Sequence, residues 1–124
     1  MPSAPNTLIF VYDADGGLRA IVLDVLKKAV GREDCALCAI MYGPVGKRSA
    51  WKACERRLGL AIAELHRDEL PPAWGMAPSA LPCVLARAGD DMPRMLVERE
   101  EVEACRGDPA ALEQRIRARL AAMA

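Results

Sequence analysis

Thr7-Leu8-Ile9-Phe10-Val11-Tyr12 is a continuous apolar run, and Asp13-Ala14-Asp15-Gly16-Gly17 breaks it at once. A short run of β-branched and aromatic residues with no polar alternation reads as a strand buried on both faces, typically a central strand of a parallel sheet. Downstream, Leu18, Ile21, Val22, Val25, Leu26, Ala29 and Val30 recur every three or four residues. That spacing predicts a helix with one buried stripe, capped by Asp15 and ended by Gly31. Lys27 and Lys28 then lie in its last turn, where they complement the helix dipole.

The remaining elements follow in order. Cys38-Ala39-Ile40-Met41-Tyr42 predicts a second buried strand, and Gly43-Pro44-Val45-Gly46 a turn. A second helix is expected from Ser49 to Leu58, with Trp51, Cys54 and Leu58 on one face and Gly59 as its stop. Leu60 to His66 predicts a third strand, and Leu70 to Ala80 a Pro-rich loop. After Leu81-Pro82, Val84-Leu85-Ala86 and Met95-Leu96-Val97-Glu98 predict a hairpin turning at Gly89-Asp90-Asp91. Asp108-Pro109 starts a last helix whose buried stripe is Leu112, Ile116, Leu120 and Met123. The fold class is therefore α/β: β-α-β-α-β, then a β-hairpin and a C-terminal helix. The expected architecture is one domain over residues 1–124, a mixed sheet with helices on both faces.

Composition narrows the function classes. Lys+Arg and Asp+Glu are equal at 17 each, so the basic excess of a nucleic-acid binder is absent. No apolar run approaches the ~20 residues that span a bilayer, and the N-terminus has no basic and apolar leader. The expectation is a cytoplasmic protein with neither nucleic acid nor membrane as partner. The five cysteines are then expected to be reduced.

The order of elements, with Leu81-Pro82-Cys83-Val84 opening a hairpin before a terminal helix, resembles the thioredoxin-like fold. That resemblance implies a cis proline at Pro82 facing Asp15, Gly16 and Gly17. Thioredoxins carry Cys-x-x-Cys at that helix start, whereas this chain has Asp13-Ala14-Asp15-Gly16. LIFVYDADGGL (8–18), CALC (35–38) and ELHRDEL (64–70) are similar to a group of small uncharacterised bacterial proteins, some labelled GTPase. The segment Gly43-Pro44-Val45-Gly46-Lys47-Arg48-Ser49 is no P-loop: two residues separate its glycines, and Arg48 follows the lysine.

Four features bear on chemistry. Cys35 and Cys38 are spaced as a redox pair or as half of a zinc site. In an extended strand their Cα atoms would lie ~10 Å apart, too far for a disulfide. Asp13 and Asp15 follow a buried strand, where ligand sites of open α/β sheets gather. Two carboxylates so placed suit Mg²⁺, or a nucleophile and a general acid. VYDADGGL resembles the opening of the haloacid-dehalogenase phosphatases, and Gly89-Asp90-Asp91 echoes their late acidic motif; Gly17 stands where that family has threonine. Cys83, beside Pro82, would lie near the positive end of the first helix, which favours a thiolate. His66 is the single histidine, and Trp74 sits between prolines as a lid or a contact.

The leading expectation is a binding module. A partner protein or small ligand would sit on a rim made by 13–17, 42–46 and 81–83, with Asp13, Asp15, Gly16, Gly17, Pro82 and Cys83 as its residues. No cofactor is predicted for that reading. The alternatives are a thiol or zinc site at Cys35 and Cys38, and a Mg²⁺-dependent phosphatase at Asp13 and Asp15.

Overall fold

A computed structural model describes residues 4–13, 36–43 and 46–123. The helix expected over 18–30 lies outside the described residues. Thr7–Tyr12 is strand β1. It is the second strand of a four-stranded mixed sheet. On one side β1 pairs in parallel with β4 (Ala61–His66) in unbroken register, Thr7 to Ala61 through Tyr12 to His66. On the other it pairs antiparallel with β5 (Cys83–Arg87), which in turn pairs antiparallel with β6 (Arg94–Val97). The order is β4-β1-β5-β6, so β4 and β6 are the edges. The apolar run of β1 is thus central, and its two faces bury two separate cores.

One face carries Leu8, Phe10, Tyr12, Val84, Ala86 and Val97. Helices α1 (Ala36–Met41), α2 (Ser49–Leu58), α3 (Arg99–Ala104) and α4 (Pro109–Met123) all contribute buried side chains to this core. Trp51 is fully buried there, its ring edge-on to Phe10 at 5.3 Å. The opposite face carries Ile9, Val11, Leu81, Cys83 and Leu85, covered among the described residues by Leu70, Trp74 and Met76 of the Pro-rich segment. Every described helix therefore packs on one face.

Several expectations hold. Helix α2 spans Ser49–Leu58 and closes on Gly59, which adopts φ 69° and donates its N–H to Glu55 O. Asp108 caps α4, its Oδ1 accepting from Ala110 N at 3.0 Å, with Pro109 at the first helical position. The hairpin turn falls at Gly89–Asp91. The Pro-rich segment is not a bare loop: it contains two 3₁₀ turns, Pro72–Trp74 and Pro78–Ala80, and a third, Arg67–Glu69, precedes it.

One expected strand is wrong. The stretch containing Cys38 is helix α1 up to Met41, and only Tyr42–Gly43 (β2) is extended, pairing with Gly46–Lys47 (β3) in a small separate hairpin. Leu37, Ile40 and Met41 satisfy helical spacing as well as a continuous run does, and a six-residue apolar segment cannot be assigned by periodicity alone. Arg48 decides the matter from outside the segment. Its Nη1 donates to Ala39 O at 3.1 Å and to Gly107 O at 2.8 Å, and its backbone N–H donates to Met41 O. The carbonyls that a helix end leaves without partners are thereby met. The expected β-α-β-α-β order accordingly loses its second strand from the main sheet, and β4 takes the place beside β1.

Candidate functional site

The site is built at the end of the sheet where β1 stops. Val11 faces Cys83 across the β1–β5 ladder, so the residues beyond, Tyr12 and Asp13, run alongside Pro82 and Leu81. The Leu81–Pro82 bond is cis, as the resemblance implies. Tyr12 faces His66, and the chain after His66 turns through Arg67–Glu69. His66 starts that turn: its backbone N–H donates to Glu69 Oε1 at 2.8 Å, and its Nδ1 lies 2.6 Å from the same oxygen. The His66 N–H and ring hold the Glu69 carboxyl below its usual range. Arg67 Nη1 reaches Asp13 Oδ1 at 3.4 Å, an exposed ion pair that ties the end of β1 to the turn after β4.

Beside this pair lies a cleft of ≈ 320 Å³. Leu70, Pro71, Met76, Pro78 and Leu81 give it apolar walls, and Arg67 and Asp68 stand at its polar end. Its volume is at the lower bound of the ~300–1,000 Å³ typical of ligand sites.

On the helical face of the same end, two tyrosines converge on one carboxylate. Tyr12 Oη donates to Glu64 Oε1 at 2.5 Å and Tyr42 Oη at 3.1 Å. Lys47 Nζ stands 3.4 Å from that oxygen and 2.6 Å from Glu55 Oε1. Burial, then the neighbouring Glu64 charge, pushes both phenols above their usual range. These hydroxyls are therefore donors, not bases, near neutral pH. Nothing in the spacing of Tyr12, Tyr42 and Glu64 announces the cluster, because the β1–β4 register and the small β2–β3 hairpin bring it together.

Of the residues expected at the rim, Asp13, Pro82 and Cys83 meet at this end. Tyr42 approaches it through its ring, 6.1 Å from that of Tyr12. Asp15, Gly16, Gly17, Pro44 and Val45 lie outside the described residues. Cys83 is fully buried in the face opposite the helices, and burial pushes its thiol up to about 12. The expected lowering by a helix end is reversed, because desolvation disfavours the thiolate.

Cys38 is buried on α1, so the ~10 Å strand separation expected for the Cys35/Cys38 pair does not apply. Cys35 itself lies outside the described residues. Among the described residues, no three His, Cys, Asp or Glu side chains gather as metal ligands. The acidic turn at Gly89–Asp91 is far from Asp13. Gly89 N donates to Asn6 Oδ1 at the start of β1, one strand length, about 20 Å, from Asp13. The phosphatase reading thus loses its late acidic motif. Trp74 packs against the core of Ile9, Val11, Leu81, Cys83 and Leu85, with Arg87 Cζ 5.7 Å from its ring.

No family model, curated protein or solved structure matches this chain.

Proposed function

We propose that this chain is a thioredoxin-like domain that binds a partner segment or small ligand at the rim of 13–17, 42–46 and 81–83. The cleft beneath the Pro-rich segment is its apolar floor. The reading is supported by the parallel β1–β4 pair, the β5–β6 hairpin opening on Leu81–Pro82, and the terminal helix α4. The observation that carries the binding site is one convergence. Arg67, Asp68 and Leu81 line a cavity with apolar walls, and Arg67 pairs with Asp13, the residue after β1. Such a site orients a ligand through few polar groups and binds it through apolar contact.

Thiol chemistry receives less support, since Cys83 is buried and protonated and Cys38 is in the core. A cation at Asp13 would compete with the guanidinium of Arg67. The test is a fragment screen read by amide chemical shifts of the ¹⁵N-labelled protein. Binders should move Asp13, Arg67, Asp68, Met76, Leu81 and Cys83 together, and Arg67→Glu should weaken those binders that carry a carboxylate. Binders that cluster elsewhere and leave these amides unmoved would refute the site.

A further inference from the structure

The two edges of the sheet are not alike. Strand β6 is short, with four residues. Its ladder to β5 shifts register between Val84 and Leu85, and Arg94 on it is exposed. A bulge, a charge and a short length are the devices that keep an edge from pairing with another chain. Strand β4 has none of them. It is six residues long, pairs with β1 without a register shift, and contains no proline. Its one carboxylate, Glu64, is turned onto Tyr12, Tyr42 and Lys47.

The backbone direction of β4 follows from two hydrogen bonds. Ala61 N–H donates inward, to Asn6 O, whereas His66 N–H donates away from the sheet, to Glu69 Oε1. Alternation along a parallel strand then points Ala61, Ala63 and Leu65 at β1, and Ile62, Glu64 and His66 outward. The His66 N–H is closed off by Glu69. Ile62 and Glu64 keep outward donors and acceptors that no described residue meets.

We propose that this edge pairs with β4 of a second copy of the chain, antiparallel, about a twofold axis at Ala63. The pattern is self-complementary in that register. Ile62 faces Glu64 of the other copy, and the two exchange both N–H···O bonds; symmetry doubles this to about four bonds. On the sheet face of the Ile9–Leu85 core, Ala63 meets Ala63 and Ala61 meets Leu65, so all contacts there are apolar and small. The register about Glu64 would instead set two carboxylates against each other, a destabilising pair. The result is one continuous sheet of eight strands with an isologous interface. A strand pair buries less than the standard ~1,600 Å², so the dimer is weak and concentration-dependent.

The experiment combines sedimentation with cross-linking. Wild-type mass should rise from monomer towards dimer between micromolar and millimolar protein. Ala63→Cys places two thiols on the axis, with Cα atoms about 4.5 Å apart, within disulfide reach. Ala61→Cys places them about 13 Å apart, out of reach. Under mild oxidation, Ala63→Cys should therefore form covalent dimer about tenfold faster than Ala61→Cys, with the wild-type chain as the background for native cysteines. Ala63→Lys, checked for an unchanged circular dichroism spectrum, should stay monomeric. Equal cross-linking of the two cysteine variants overturns the pairing, as does a wild-type chain that remains monomeric at millimolar concentration.

Discussion

Cys83 has no exposed surface, and burial holds its thiol protonated up to about 12. An unfolded cysteine ionises near ~8.5, so the unfolded state releases its proton first as the pH rises. Stability contributed by the neutral thiol is present below that pH and falls away between ~8.5 and 12. Thermal melts of the wild type should fall more steeply over pH 8.5–10.5 than those of Cys83→Ala, by up to about 1.4 kcal/mol per pH unit. Glu113 behaves in the opposite sense. Arg57 holds its carboxyl down to about 2, assisted by Cys54 and Arg117. Its stabilisation is complete above the unfolded carboxylate range, ~4.3, and is lost as the pH falls towards 2. Melts at pH 4.5 and 2.5 should differ more for the wild type than for Glu113→Gln. At Tyr12, removing the hydroxyl leaves Glu64 short of its closest donor. Tyr12→Phe should destabilise by about 1–3 kcal/mol in urea unfolding. Neither the Arg57–Glu113 pair nor the Tyr12–Glu64 bond is visible in the sequence, because each joins residues far apart along the chain.

Elements were legible where a stripe and a stop coincide. Helix α2 has Trp51 and Cys54 buried on one face and Gly59 left-handed at its end, and both signals are local. Gly59→Ala forces a side chain into φ 69° and should cost about 1 kcal/mol, measured by denaturant midpoint at unchanged m-value. Helix α1 reads as a strand from its own residues, because its deciding contact comes from Arg48, outside its six residues. Helix α3 carries no such signal. Val102 is its one buried residue, too little for a stripe, and its first turn starts at the unremarkable Glu98.

At the scale of the whole molecule, β1 is the strand around which both cores are built. Hydrogen exchange should therefore be slowest at Ile9–Val11 and Val84–Leu85, and much faster across Gly46–Lys47 and Pro72–Gly75, whose backbone bonds are few and near the surface. Fast exchange in β1 would mean that the two cores are not built around it. The α/β class, the central buried strand, the β5–β6 hairpin and the terminal helix were readable from local patterns of apolar residues and turn formers. Periodicity and turn chemistry act within a few residues, so one chain suffices to read them. Sheet order, the placing of β4 on an edge, the Arg67–Asp13 pair and the Glu64 cluster were not readable. They depend on which distant segments pack together, and that is decided by the summed burial of the two faces of β1, a property of the assembled molecule and of no single stretch of it.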